Sequence, residues 1–278
     1  MQARAERARG TSRVLRYAAD RVPVALVFGC FAIQLSLYFF EASLSTAAIV
    51  MAVILPAQQL ARACLHFHYH CSVFVVPALN RLYEVALFFC TGLSPHQFTL
   101  HHVLGHHVLY FNPRRDPLGW QRADGAKMTF LEFLAKGTVN LYRFPFQLGP
   151  RYPRIFRRFK RWLAFVLGLL SVLVALDPAR ALIIWVIPMV VLLVDIIRLN
   201  WWHHVGLEAS DHARASRNDL RRAYNIITFN SGYHTVHHIH PGKHWSLLAA
   251  EHQAIAHTIP DELNQGSTNA PDVLHFGR

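Results

Sequence analysis

Residues 162–204 read WLAFVLGLLSVLVALDPARALIIWVIPMVVLLVDIIRLNWWHH. Two apolar runs, roughly Trp162–Leu176 and Ala181–Leu199, are separated only by Asp177-Pro-Ala-Arg180, and the second opens directly into Asn200-Trp-Trp-His-His204. A helix of about 20 apolar residues crosses the hydrocarbon of a bilayer. The stretch therefore predicts an antiparallel pair of membrane helices with imidazoles at its exit. The first run is shorter than that length, so Lys160 and Arg161 at its start are expected to snorkel toward the interface.

The same pattern stands nearer the start, in Val22–Phe40 and Ser43–Ala61 around Glu41. The chain is 53% hydrophobic and 16% charged, with a mean hydropathy of +0.21, and four such runs exclude an ordinary soluble core. The expected fold is an all-α integral membrane protein: four transmembrane helices, as two hairpins, with a helical cap carrying the histidines. Arginines crowd residues 1–21 and the loop between the hairpins, whereas the hairpin tips offer Glu41, Asp177 and Arg180. Lys and Arg in short flanks mark the cytoplasmic side, so both termini and every His cluster are expected there. The division that follows is a basic N-terminal segment (1–21), a membrane domain (22–258) and a flexible tail (259–278). No cleavable signal peptide is evident. The net charge of +12 suits topology and contact with anionic membrane lipids. No nucleic-acid-binding module accompanies it. The run Arg151–Arg161 reads as a membrane-surface helix rather than a substrate site.

Histidine carries the chemistry. Thirteen of the 19 lie in four clusters: His66-Phe-His-Tyr-His70, His101-His-Val-Leu-Gly-His-His107, His203-His204 and His234-Thr-Val-His-His-Ile-His240. Imidazole is a favoured ligand of iron, copper, nickel and zinc. On helices, residues i and i+4 share a face. His66 and His70, His102 and His106 with His107 nearby, His204, and His234, His237 and His238 form the favoured set, with two metals as the economical way to use it. His68, His101, His203 and His240 point elsewhere. Asn230 or Ser231 is the expected cap of the last helix and Pro241 its stop. Cys30, Cys64, Cys71 and Cys90 lack zinc-site spacing and read as reduced, packed thiols.

Three His boxes and an Asn-x-x-x-His element around two membrane hairpins resemble the membrane fatty acid desaturase and hydroxylase superfamily, over roughly residues 22 to 258. The last box contains that family's His-x-x-His-His. The second has three residues between His102 and His106, where acyl desaturases usually have two, and with Gly105 it is similar to the alkane monooxygenase branch. Asn200-x-x-x-His204-Val-Gly-Leu207 shares that likeness, but the first box lacks the Glu that follows the leading His there. The resemblance implies a non-haem di-iron centre with nine His ligands, Asn200 as a weak or water-mediated tenth contact, and O2 as co-substrate. It implies oxidation of an aliphatic chain, with acyl desaturation as the leading expectation and hydroxylation or oxidative decarboxylation as alternatives. A lipid or acyl-chain substrate and an external electron donor of ferredoxin, rubredoxin or cytochrome b5 type, with its reductase, are the expected partners.

Two ferrous ions among neutral imidazoles would carry +4, so carboxylates are wanted beside the ligands. Asp195, one turn before Asn200, and Glu208, one turn past His204, are the candidates; for Asp195 an ion pair with Arg198 is an equal alternative. Membrane haem binding and metal transport are the rival classes. Beyond Gln34, Gln58, Gln59 and Asp195 the spans offer little polar lining for transport.

Overall fold

The computed structural model describes residues 14–40, 43–207 and 210–266. It divides into two compact units, one of residues 1–100 and 146–195, the other of residues 101–145 and 196–278. Among the described residues, four helices are long and apolar enough to cross a membrane: Ala18–Phe39, Leu44–His70, Pro153–Leu176 and Pro178–His204. The protein is an integral membrane protein, mainly helical and with very little strand among the described residues.

In the first unit, α1 (Arg21–Phe39), α2 (Leu44–Gln59), α3 (Ala61–His70) and α4 (Pro77–Thr91) surround one another. Ser43 caps α2 by accepting from the Thr46 amide at 3.1 Å. α3 continues α2 past Leu60, so the first His box rides on the end of the second span. The aromatic core is built by Phe31, Phe89 and Trp185, with ring centroids 5.0–6.1 Å apart. In lipid the hydrophobic effect does not hold helices together, so close packing and hydrogen bonds must. Gln34 Nε2 donates to the Ile184 carbonyl at 2.8 Å, and Gln58 Nε2 to the Cys90 carbonyl at 2.8 Å. Ile184 lies in a π-helical stretch, Leu182–Val186, where the irregular ladder makes a side-chain donor valuable. The strand-like segment at Leu15 pairs with Phe74, and Arg16 binds the Val73 and Ser72 carbonyls.

The third span differs from expectation. The basic run is not a separate surface helix: a single helix covers Pro153–Leu176. Proline is tolerated at the first helical position, where its missing N–H costs nothing, and no breaker follows before Asp177.

In the second unit lie α5 (Phe130–Leu148, ending across the division), the last part of α7 (Ile187–His204), α8 (Arg222–Ile227), α9 (His234–Ile239) and α10 (Leu248–Ile255); the third span is α6. Short strands β1 (Asn218–Asp219) and β2 (Asn264–Gln265) pair in parallel. The start of the expected loose tail is thus folded back: Ile259 and Leu263 are buried, and the Asn264 side chain accepts from Asn218 Nδ2 at 3.0 Å. Residues 267–278 and 1–13 lie outside the described residues.

Gln34→Leu should leave the Ile184 carbonyl without its donor, costing about 1 kcal/mol. The expected outcome is a lower Tm of the detergent-solubilised protein, read from the fluorescence of the adjacent buried Trp185.

Candidate metal centre

The first box sits on α3 with the His66 and His70 rings adjacent, centroids 5.1 Å apart. His68 turns away. Its Nε2 lies 3.3 Å from Glu84 Oε1, and its Nδ1 accepts from the Val73 amide at 3.4 Å, so both nitrogens are engaged. Glu84, itself buried, also binds Arg81. Asp195 pairs with Arg62, its Oδ2 3.1 Å from Nε. Arg62 lies one turn before His66, so this pair ties the fourth span to the turn carrying the first box.

The second box departs from the helix expected of it. Thr99–His106 is π-helical, passing into α-geometry at His107–Leu109. A π-turn closes on residue i+5 where an α-turn closes on i+4, and His102 accordingly meets His107, with Nε2 atoms 3.1 Å apart. His107 Nε2 is also 3.1 Å from His237 Nε2. His106 turns to a different group. Ligand atoms of His106, His204 and His238, all buried, lie within 4.8 Å of one another. His234 Nε2 joins them, 2.9 Å from His204 Nε2 and 3.1 Å from His238 Nε2.

Two of these rings are anchored through Nδ1. His204 Nδ1 is 2.9 Å from the Ala215 carbonyl, and His106 Nδ1 is 2.9 Å from Asp116 Oδ2. A carbonyl or carboxylate only accepts, so each Nδ1 carries the hydrogen and each Nε2 presents a lone pair. His106 Nε2 is buried with no hydrogen-bond partner among the described residues. Burial first, and the neighbouring imidazoles next, hold His238 well below the ordinary histidine range, which keeps it neutral. Inward lone pairs on buried neutral imidazoles, with no proton to separate them, are a donor set that fits a cation preferring nitrogen ligands.

Asp116 escaped the sequence reading. It lies in a polar turn ten residues past His106, with nothing in the local pattern to distinguish it from a solvated acid. The turn is built tightly: Asp116 Oδ1 accepts from the Leu118 amide at 2.9 Å, and a Cβ on Gly119 would stand 1.7 Å from the Pro113 carbonyl oxygen. α5 braces it, with Asn140 Nδ2 donating to the Pro117 carbonyl and Lys136 Nζ to the Gly119 carbonyl.

The third box is held from outside its helix. α9 begins at His234 without a cap from Asn230 or Ser231, because Phe229 and Asn230 take positive φ (54° and 60°) in the turn before it. Instead Asn218 Oδ1 accepts from the Thr235 amide at 2.9 Å, while Thr235 Oγ1 meets Asn218 Nδ2 and Ser216 Oγ, each at 2.9 Å. His203 braces the box from below, its ring stacked 3.9 Å from His234 and its Nδ1 bonded to the Arg217 carbonyl at 2.9 Å. Tyr110, also missed, lies 4.5 Å from the His238 ring and hydrogen-bonds His212. His101 packs against Phe144, and burial pushes it down to about 3. Asn200 Nδ2 donates to its own helix, at the Ile196 carbonyl, 2.7 Å away. Glu208 lies outside the described residues.

Membrane-length helices with His-rich groups suited to metal define the class: a membrane protein equipped for metal chemistry. A family model described as fatty acid desaturase matches residues 41–267, and the chain belongs to the fatty acid desaturase family. It is therefore an oxidoreductase of fatty acid oxidation. No match is found among curated proteins.

Asp116→Ala should weaken metal retention about 10–100-fold, measured as metal content after dialysis, with Asp116→Asn intermediate because its amide oxygen still accepts from His106. Deleting Val103 shortens the second box to the spacing usual in acyl desaturases. It should let the π-turn relax to an α-helix with metal content retained; complete metal loss would show that the π-turn is indispensable.

Proposed function

We propose that this protein is a non-haem di-iron enzyme that uses O2 to oxidise an unactivated aliphatic C–H position, acting as a fatty acyl desaturase in lipid metabolism. The observation that carries the reading is the gathering of buried ligand nitrogens from His106, His204 and His238, with His234 Nε2 beside those of His204 and His238. In this reading those four hold one iron. His102, His107 and His237 contribute to the other, and His66, His70 and, as a weak tenth contact, Asn200 complete the ligand set that the family likeness implies. When bound, the irons supply the power to remove hydrogen from carbon with O2.

The chain's own residues do the positioning. Asp116 and the Ala215 carbonyl hold two imidazoles in the ligating tautomer. Burial of the clusters keeps bulk water from the reacting chain. Asp195 acts through Arg62 on the turn bearing His66, and Glu208 supplies carboxylate charge past His204. Conversion of one CH2–CH2 unit to CH=CH, with one O2, two electrons and two protons, yields two waters. The electrons come from a ferredoxin, rubredoxin or cytochrome b5 type donor with its reductase, since the sequence has neither a dinucleotide-binding glycine fingerprint nor a cysteine set for an iron–sulfur cluster. In this reading the termini and the His boxes face the cytoplasm, a topology supported by the basic flanks. Hydroxylation is the second reading, favoured by the alkane-monooxygenase-like second box; oxidative decarboxylation shares the same centre.

Expression in a host lacking such activity, with mass spectrometry of its lipids, is the test. Acyl chains two mass units lighter indicate desaturation, sixteen heavier hydroxylation, and a terminal alkene one carbon shorter decarboxylation. His238→Ala should lose iron and all product, whereas His68→Ala should keep iron. A strong Soret band in the pure protein, or metal uptake by proteoliposomes without O2 consumption, would overturn the proposal.

A further inference from the structure

α5 is a 19-residue helix with two apolar faces. At about 100° per residue, Phe133, Gly137 and Leu141 fall on one side and are buried. Leu131, Ala135, Val139 and Phe146 fall on another, within roughly 80° of one another, and all four are exposed. Leu131 is 73% and Val139 59% exposed, far more than apolar side chains on a solvated helix need be. Glu132 and Arg143 stand between the two faces, a polar border along the exposed strip.

The end of the helix packs against α6. Its Phe146 ring lies 5.3 Å from Phe159 and 5.9 Å from Phe156, both in the first turns of α6. Gly149 lets this approach happen, since a Cβ there would stand 2.2 Å from the Phe156 ring. Phe159 precedes by less than one turn the point, near Trp162, where α6 becomes wholly apolar. The end of α5 is thus pinned beside the point where α6 turns from basic to apolar. Charge at this boundary has one sign. Residues 133–176 contain no Asp or Glu, while Arg151, Arg154, Arg157, Arg158, Lys160 and Arg161 are all exposed.

We infer that α5 is an interfacial helix, its Leu131–Val139 strip seated among the acyl chains of an anionic leaflet whose headgroups are met by the basic turns of α6. An amphipathic helix with an exposed apolar strip and neighbouring arginines binds in the bilayer interface through buried apolar area plus attraction to anionic lipid. A soluble acidic protein would satisfy the arginines and leave the strip wet. The helix bracing the Asp116 turn would then be anchored by lipid, so the composition of the leaflet reaches the turn that orients His106.

The test uses the full protein in nanodiscs of phosphatidylcholine alone, or of equal parts phosphatidylcholine and phosphatidylglycerol. Amide hydrogen exchange of residues 130–148 should slow about fivefold in the anionic discs. Leu131→Asp with Val139→Asp should abolish the protection. Arg154→Gln with Arg157→Gln and Arg158→Gln, which leave the strip intact, should abolish its dependence on anionic lipid. Equal exchange in both discs, protection seen only when an acidic electron-donor protein is added, or protection that accompanies a doubling of protein mass would each overturn the inference. None of these readouts depends on turnover or on bound metal, so the test stands apart from the proposed reaction.

Discussion

Everything at the candidate centre depends on which nitrogen of a buried imidazole carries its hydrogen. A neutral histidine has one donor and one acceptor, and burying either without a partner is costly. The protein resolves this by giving Nδ1–H an acceptor that cannot donate in return: the Ala215 carbonyl for His204 and the Asp116 carboxylate for His106. The lone pairs are left on Nε2, where a bound cation would meet the remaining cost. The loops that supply these acceptors are as much a part of the centre as the helices bearing the rings. That explains why so much polar structure, from Asn140 and Lys136 to Arg217 and Asn218, is spent on holding them.

The spans were legible because crossing a bilayer demands a run of apolar residues long enough to read without any periodicity. Their ends were less so. Hydropathy stops at Trp162, but α6 starts at Pro153, since arginine and lysine are good helix formers and the backbone has no reason to break. The partition of histidines was only partly legible. Spacings of three and four residues assume an α-helix, and nothing in Thr99–His106 announces a π-turn that sends His102 and His107 one way and His106 another. Asp116 and Asn218 were invisible for a different reason: each acts across a turn or between strands, and such contacts exist only once the chain has folded. Asp195 was noticed for its cost in a span, yet its partner Arg62 is remote in sequence and could not be named.

Ionic and amide pairs inside the first unit follow the same economy. Gln34, Gln58 and the Arg62–Asp195 pair would each be expensive in lipid, and each is directed inward onto a backbone carbonyl or an opposite charge. In a medium where apolar packing confers little preference of helix for helix, such contacts fix register. Register matters here because the helices carry ligands, His66 and His70 on α3 in this unit and His204 on α7 in the other. A slide of one helix by a single turn would move ligands by about 5 Å, more than the 4.8 Å within which the His106, His204 and His238 ligand atoms gather.

The π-turn also bears on how box spacing relates to reaction type. Acyl desaturases usually place histidines at relative positions 0, 3 and 4 in this box; here they fall at 0, 4 and 5. A π-turn accommodates one residue more than an α-turn, so the longer box can aim its imidazoles as the shorter one does. The spacing is then a likeness to the alkane monooxygenase branch that leaves the ligands able to serve either an alkene or an alcohol as product. That choice falls to whatever sets the distance and angle of the bound carbon chain relative to the centre, because both outcomes begin with removal of one hydrogen and diverge only in which atom lies within reach next.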